Sequence, residues 1–172
     1  MDLEGIKLDL FILRHGEAGK RSVKIITDSK RPLTTSGKQE LGQIAKAFVK
    51  LGITFDYVFS SPLSRAQQTT LIVLRENKSK NSIENLDELR PEGNKMMLYK
   101  KLSNLKQDSS VLLVGHEPYL SELIGEIISG NECRIDLKKA GLARIRIVSF
   151  IPKIRGELRW LLTPKHMKLI SN

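Results

Sequence analysis

Short apolar runs alternate with longer amphipathic segments over the first two thirds of the chain. The runs are too short for helices and are typical of buried strands, at Leu8–Leu13, Tyr57–Phe59 and Val111–Val114. The longer segments repeat apolar residues every three or four positions and predict helices at Gly37–Leu51, Ser64–Glu76, Asn94–Lys106 and Pro118–Ile128. Buried strands separated by crossover helices indicate a mostly parallel sheet that is covered on both faces.

The last part of the chain has a different period. Apolar and polar residues alternate in Arg144–Phe150 and again in Glu157–Leu162, which predicts two strands with one solvated face. Ile151–Gly156 supplies turn residues between them. We therefore expect an α/β fold, a three-layer α/β/α sandwich whose mostly parallel central sheet ends in an antiparallel C-terminal hairpin. The length of 172 residues is typical of a single domain, here over residues 1–172.

The positive charge of the chain is concentrated near its C-terminal end. The net charge is +10, and residues 133–172 hold ten basic residues against Asp136 and Glu157. Such a segment suits an anionic partner, which is an acidic protein, a membrane surface or a nucleic acid. The alternative is that these charges only form the solvated outer face of the protein. Aromatic residues make up only 5% of the sequence and are not interleaved with the basic ones, which argues against nucleic acid.

The sequence shows no feature of a secreted or membrane-spanning protein. Met1 is followed by Asp2 and Glu4 without a basic and then apolar stretch, so we expect no signal peptide. No apolar run approaches the roughly 20 residues of a membrane span. The single cysteine, Cys133, cannot form an internal disulfide, which fits a reducing compartment. These features predict a cytoplasmic protein without a membrane partner.

Charged and imidazole side chains follow three of the predicted strands. Arg14 and His15 come after the first strand, Arg65 lies shortly after the second, and His116 follows the third. Ligands of open parallel sheets bind beyond the carboxyl ends of the strands, so we expect these four side chains to share one edge. A glycine beside each histidine, Gly16 for His15, would let a ligand approach the backbone.

These residue types suit phosphoryl transfer. Arginine binds phosphate through a planar fork of donors and stays charged, and a neutral imidazole can attack phosphorus to form phosphohistidine. The rival interpretation is a metal site of His15, Glu17, His116 and Glu117, which two nearby arginines would disfavour. The sequence also lacks the glycine-rich pattern of nucleoside-triphosphate enzymes. We therefore expect neither a metal nor another cofactor.

Four motifs in order resemble the histidine phosphatase superfamily, also called phosphoglycerate-mutase-like. They span about residues 8–120 and are Arg14-His15-Gly16, Arg31-Pro32-Leu33-Thr34, Ser61-Pro62-Leu63-Ser64-Arg65-Ala66 and Val114-Gly115-His116-Glu117-Pro118. The Arg-Pro-Leu-Thr segment, the short chain and the late Leu162-Thr163-Pro164 are most similar to the small SixA-type phosphohistidine phosphatases.

The resemblance implies a role for each matching residue. His15 is then the nucleophile that becomes phosphorylated, while Arg14, Arg65 and His116 complete the phosphate pocket, with His116 as a hydrogen-bond donor. Gly16 belongs to the expected substrate-binding set. Arg31 either lines the mouth of the site or anchors a surface loop. Independently of the resemblance, Ser61 and Ser64 are predicted to cap the second helix.

The general acid is the weakest part of the match. Larger relatives place a glutamate after the third motif, and this chain offers Glu88 by position and Glu92 as a substitute. Both lie in a charged loop, where plain solvation explains them equally well. SixA-type members depend little on such an acid, in keeping with imidazole being a better leaving group than an alkoxide.

These observations predict a phosphatase that forms a phosphohistidine intermediate. The favoured substrate is phosphohistidine on a protein, because larger relatives cover the pocket with an inserted helical cap for which this chain leaves no room. An acidic phosphotransfer domain would then suit the basic C-terminal hairpin. The alternatives are a phosphomonoesterase for a small phosphate ester and, from another class, a non-enzymatic module that binds phosphoanions or nucleic acid.

Overall fold

The computed structural model describes residues 7–20, 28–131 and 133–172. Within these ranges a six-stranded sheet forms the centre of the fold, in the order β3-β2-β4-β1-β5-β6. Its strands are β1 (Leu8–Arg14), β2 (Tyr57–Ser60), β3 (Glu84–Asn85), β4 (Ser110–Gly115), β5 (Leu142–Ser149) and β6 (Arg155–Leu162).

Five α-helices cover the two faces of the sheet. They are α1 (Thr35–Lys50), α2 (Ser64–Glu76), α3 (Lys95–Ser103), α4 (Tyr119–Ser129) and α5 (Pro164–Ser171). Side chains of β1 point alternately to the two faces of the sheet. On one face, Leu8, Leu10 and Ile12 pack into a core with α3 and α4. On the other face, Phe11 and Leu13 pack into a second core with α1, α2 and α5. The predicted three-layer α/β/α sandwich is confirmed.

The pairing of the strands divides the sheet into two parts. β3, β2, β4 and β1 are parallel to one another, whereas β5 is antiparallel to β1 and β6 is antiparallel to β5. The mostly parallel sheet with an antiparallel C-terminal hairpin is therefore as expected. Because Leu8 of β1 lies opposite Ile147 and Leu13 opposite Leu142, the turn of the hairpin lies beyond the amino end of β1.

Two elements lie outside the predicted set. β3 has two exposed residues and no pattern of apolar residues. It can be recognised as a strand only from its pairing with β2 in the structure. α5 is short, but Thr163 and Pro164 carry its start signal: the Thr163 side chain accepts the backbone N–H of His166, and proline takes the first helical position. The predicted sites of the other helices and strands are confirmed, with ends that move by at most three residues.

The strand ends place the candidate chemistry on one edge. β1 ends at Arg14, β2 at Ser60 and β4 at Gly115, and all three are parallel neighbours. His15 and His116 are the residues immediately after β1 and β4. Across the described ranges, no helix combines the length and the apolar character that crossing a membrane requires.

Candidate active site

The parallel strand ends bring the two histidines together. The backbone N–H of His15 donates to the carbonyl of Gly115, the last residue of β4, at 3.1 Å. This bond continues the β1–β4 ladder beyond the strands and sets His15 beside His116. The centroids of the two imidazole rings are 5.0 Å apart, and both side chains are buried. The expected pairing of these residues at one edge is what the geometry shows.

Two contacts define the chemical state of the His15 ring. Nδ1 lies 2.7 Å from the carbonyl oxygen of Gly16, which can only accept, so Nδ1 carries the hydrogen. Arg65 Nε donates to His15 Nε2 at 3.3 Å. Nε2 is therefore the unprotonated nitrogen, which is the form that a nucleophilic imidazole requires.

Burial keeps both imidazoles neutral. Desolvation is the largest cause that lowers the pKa of His15 to about 4, and the charges of Arg65, Arg14 and Arg31 lower it further. Desolvation likewise lowers the pKa of His116 to about 3, with His15 and Arg65 as the next causes. Above about pH 5 both rings are therefore in the form that a nucleophile and its neutral neighbour require.

His116 is held by a serine at the end of β2. Its Nε2 lies 2.7 Å from the hydroxyl oxygen of Ser61, which is fully buried. We predicted that Ser61 or Ser64 caps α2, and the structure contradicts this. Leu63 is the capping residue and no side chain caps the helix. The Ser61 hydroxyl orients His116 instead, and its place directly after β2 was the available sequence signal.

Arg14 extends from β1 along the same pocket. Its Nη1 donates to the carbonyl of Leu137 at 2.9 Å, which ties the guanidinium to the segment before β5. Its Nε and the Nδ1 of His116 are buried without a hydrogen-bond partner among the described residues. An unpaired buried polar group costs about 1–3 kcal/mol, and such groups are characteristic of sites that bind polar ligands.

Arg65, at the start of α2, is the most enclosed charge of the site. Its side chain is 3% exposed and donates from Nη1 to the carbonyl and from Nη2 to the carboxylate of Asp28, at 2.9 and 3.0 Å. Arg31 donates from Nε to the same carboxylate at 3.0 Å and from Nη1 to the carbonyl of Gly19 at 2.8 Å. Arg31 thus lies beside the pocket, where its charge acts on both histidines.

Asp28 is a residue that the sequence analysis missed. It begins the 3₁₀ turn Asp28–Lys30 and joins Arg65 to Arg31. Its signal in the sequence was the Asp-to-Arg spacing of three residues, which places the two side chains on the same face of a tight turn. Its contact with Arg65 comes from 37 positions away and had no such signal.

Gly16 has a packing role that the sequence analysis did not predict. Its N–H donates to the Thr69 hydroxyl at 3.1 Å and its carbonyl accepts from His15, so both of its backbone groups are engaged within the protein. A Cβ at this position would lie 2.6 Å from Cδ1 of Leu41. The missing side chain lets the segment after β1 pack against α1, and the substrate-binding role of Gly16 stays a prediction.

The two candidate acids occupy the loop between β3 and α3. Glu88 is half-buried in the 3₁₀ turn Asp87–Leu89. Burial is the main cause that raises the pKa of Tyr119, and the charge of Glu88 adds to this rise. Glu92 is exposed. Neither hydrogen-bonds to His15, Arg65 or His116 in the part of the chain that the structure describes. Their role as acids stays a prediction.

The carboxylates of the rival metal site point to other partners. Glu17 accepts from the hydroxyls of Ser36 and Thr34, and these bonds lower its pKa. Glu117 accepts the backbone N–H of Ser121, and partial burial raises its pKa. Among the described residues, no group of three or more His, Cys, Asp or Glu side chains is arranged to hold a metal ion.

The basic hairpin starts beside this site and runs to the other end of the sheet, where its turn lies. Arg144 and Arg146 both donate to the carboxylate of Asp9, and Arg146 also pairs with Asp108. Asp9 lies at the amino end of β1, whereas the histidines lie beyond its carboxyl end. These two arginines therefore lie toward the amino end of β1, and the expectation that the hairpin suits an acidic partner stays a prediction.

Comparisons with known proteins agree with this geometry. A family model described as the histidine phosphatase superfamily (branch 1) matches residues 10–94. An uncharacterised protein of Picosynechococcus sp. is 31% identical over 142 residues, which are 81% of this chain and 85% of that protein. The phosphohistidine phosphatase SixA of Escherichia coli is 29% identical over 164 residues, which are 94% of this chain and 98% of the relative.

The fold is also similar to that of a solved relative. The structure of the protein histidine phosphatase SixA complexed with tungstate aligns with a TM-score of 0.80 and 28% sequence identity. The alignment covers 91% of this chain and 97% of that one.

Proposed function

The chain belongs to the histidine phosphatase superfamily, and on this premise we propose that it hydrolyses phosphohistidine on a protein through a covalent intermediate on His15. The family match together with the likeness to SixA over nearly its full length supports a phosphatase. The substrate and the residue roles are the proposal. The observation that carries it is the state of His15, with Nδ1 bonded to Gly16 and Nε2 directed at Arg65.

The first step transfers the phosphoryl group to the enzyme. His15 Nε2 attacks phosphorus, a new N–P bond forms, and the N–P bond to the substrate imidazole breaks with its electron pair on the departing nitrogen. That nitrogen takes up one proton. Arg14, Arg65 and Arg31 neutralise the charge on the phosphoryl oxygens, which is the main requirement of phosphoryl transfer.

The second step restores the enzyme. A water molecule attacks phosphorus on the side opposite His15, the N–P bond to His15 breaks, and inorganic phosphate leaves. His116 lies 5.0 Å from His15 between ring centroids, close enough to donate to a phosphoryl oxygen once protonated. A bound dianion raises the pKa of a neighbouring imidazole, which opposes the lowering by burial.

The segment after α2 supports a protein substrate, because its described residues form no inserted cap. In larger relatives the segment between the second helix and the next parallel strand carries a cap. Here that segment holds α3, whose Leu98, Tyr99 and Leu102 pack into the core with β4, so the helix is part of the layer and not a lid. The relative SixA, named a phosphohistidine phosphatase, matches over 98% of its own length.

The leaving group provides the test. Imidazole leaves from phosphorus more readily than an alkoxide, so Glu88 is dispensable for phosphohistidine and needed for a phosphate ester. We expect wild-type kcat/KM to be higher for a phosphohistidine peptide than for a phosphoserine peptide of the same sequence. Glu88→Gln should change the first by less than about tenfold and the second by more, since a needed acid contributes ~10²–10⁴-fold.

Two further variants test whether one carboxylate can take over the role of the other. They are Glu92→Gln and the double variant that combines Glu88→Gln with Glu92→Gln. A higher kcat/KM on small phosphate esters, with a collapse of about 10³-fold on both peptides in Glu88→Gln, would instead identify a metabolite phosphomonoesterase. Salt-dependent nucleic-acid binding without turnover of any of these substrates would identify a non-enzymatic binding module.

A further inference from the structure

The guanidinium of Arg65 faces two groups at once. Its Nε donates to His15 Nε2 at 3.3 Å, while the two terminal nitrogens donate to the carbonyl and the carboxylate of Asp28. Asp28 therefore engages the end of the guanidinium and leaves the Nε edge toward the nucleophile. A planar group with five fixed donors cannot turn one edge without turning the other.

The same carboxylate also orients a second arginine. Arg31 Nε donates to Oδ1 of Asp28 while Arg65 Nη2 donates to Oδ2, both at 3.0 Å. One carboxylate thus lies between two guanidinium groups beside the phosphate pocket, and its negative charge offsets their mutual repulsion. Its side chain is 39% exposed, against 3% for Arg65, so it stands on the outer side of the arginine.

We propose that Asp28 is a positioning residue for phosphoryl transfer, which fixes the Nε edge of Arg65 toward the phosphoryl group on His15. This inference rests on the proposed function, because it assigns Asp28 a task in that reaction. Among the described residues, Asp28 contacts Arg65 and Arg31, and it acts through these two arginines. Its carboxylate stays on the arginine during the reaction, held in place by the backbone bond to the same residue.

The charge of Asp28 separates positioning from plain binding. A carboxylate beside the pocket opposes the binding of an anion, so its removal should not weaken the affinity for phosphate. The orientation of Arg65 matters most in the transition state, where the equatorial oxygens need donors at fixed places. If Asp28 positions Arg65, then removal of its charge lowers kcat, while the affinity for phosphate stays the same or rises.

The test compares Asp28→Asn with wild type and with a matched control. Asp87 pairs with Arg90 Nε in the other 3₁₀ turn with the same spacing of three residues, away from Arg65. We expect Asp28→Asn to lower kcat on a phosphohistidine peptide by at least about tenfold, with an unchanged or lower Ki for inorganic phosphate. Asp87→Asn should leave both values within about twofold of wild type.

Asp28→Glu provides the rescue. It restores the charge at a slightly shifted position, so its kcat should lie between the values of wild type and Asp28→Asn, with the melting temperature of all variants measured alongside. If Asp28→Asn does not fold, Asp28→Glu carries the test through a lowered kcat at unchanged Ki. Wild-type kcat in Asp28→Asn, or in Asp28→Glu where only that variant folds, overturns the inference.

Two further outcomes are also decisive. A rise of kcat together with tighter phosphate binding in Asp28→Asn would show that Asp28 competes with the substrate for Arg65, and would overturn positioning. Failure of the proposed function would show in the wild-type enzyme, as absence of turnover on the phosphohistidine peptide. The comparison of variants is then made on the phosphate ester that the wild type does hydrolyse.

Discussion

At the scale of single residues, Gly16 shows how packing fixes the nucleophile. The carbonyl that holds His15 Nδ1 belongs to a residue pressed against Leu41, with no room for a Cβ. Gly16→Ala should therefore lower the free energy of unfolding by about 1–3 kcal/mol, as overpacking does. Urea unfolding measures this change, and kcat should fall with it because the carbonyl moves.

Gly42 provides the control for that prediction. It lies inside α1, and a Cβ there meets no atom within 4 Å. Gly42→Ala should raise the free energy of unfolding by about 0.5–1 kcal/mol, since glycine is the more flexible residue in a helix. Equal effects of the two substitutions would refute the packing argument.

Whether a site residue could be predicted depends on how far along the chain its contact partners lie. Arg14, His15, Arg65 and His116 could be predicted, because each lies directly or shortly after a buried apolar run. The contacts of Asp28 with Arg65 and of Ser61 with His116 could not be predicted, because they join residues 37 and 55 positions apart and leave no periodic pattern. The tightness at Gly16 depends likewise on α1, which motif inspection does not show.

At the scale of elements, the hairpin runs along β1 from the catalytic edge to the far end of the sheet. Its turn lies beyond the amino end of β1, opposite the histidines. Lys153→Glu reverses one exposed charge in that turn. We expect kcat/KM on an acidic phosphohistidine protein to stay within about twofold of wild type, because little coupling survives beyond the Debye length of about 8 Å. A loss of tenfold, restored at high salt, would contradict this and return the hairpin to substrate docking.

The elements themselves were predictable where the apolar period was long or the run was fully buried. β1, β2, β4 and the four longer helices meet these conditions. β3 did not, since its two exposed residues form a strand only by pairing with β2. The position of the hairpin followed from the strand order in the sheet, which the alternation within β5 and β6 does not encode.

At the scale of the whole molecule, the two buried histidines link stability to pH. Their pKa values are about 4 and about 3 in the folded protein, below the usual 6.5 of an unfolded chain. Between these values the unfolded chain takes up protons that the folded protein does not. Above about pH 6.5 the two histidines therefore cost the folded protein no stability. As the pH drops below this value, the free energy of unfolding falls, by a slope that approaches about 1.4 kcal/mol per pH unit for each histidine.

Urea unfolding between pH 7.5 and pH 5 checks this link. The His15→Asn, His116→Asn double variant should show a flatter dependence than wild type over that range, whatever its absolute stability. Carboxylates that titrate in both proteins cancel in the comparison. Parallel curves for the two proteins would show that the histidines are not neutral in the folded state.

The central claim is that His15 is the nucleophile, and trapping the phosphoenzyme tests it most directly. Wild-type enzyme mixed with a radiolabelled phosphohistidine peptide and quenched in alkali should carry an acid-labile, base-stable label on His15. His15→Ala should fold, take up no label and lose turnover. Label on another residue, or more than about a tenth of wild-type turnover in His15→Ala, equivalent to only ~1.4 kcal/mol of barrier, would contradict the account.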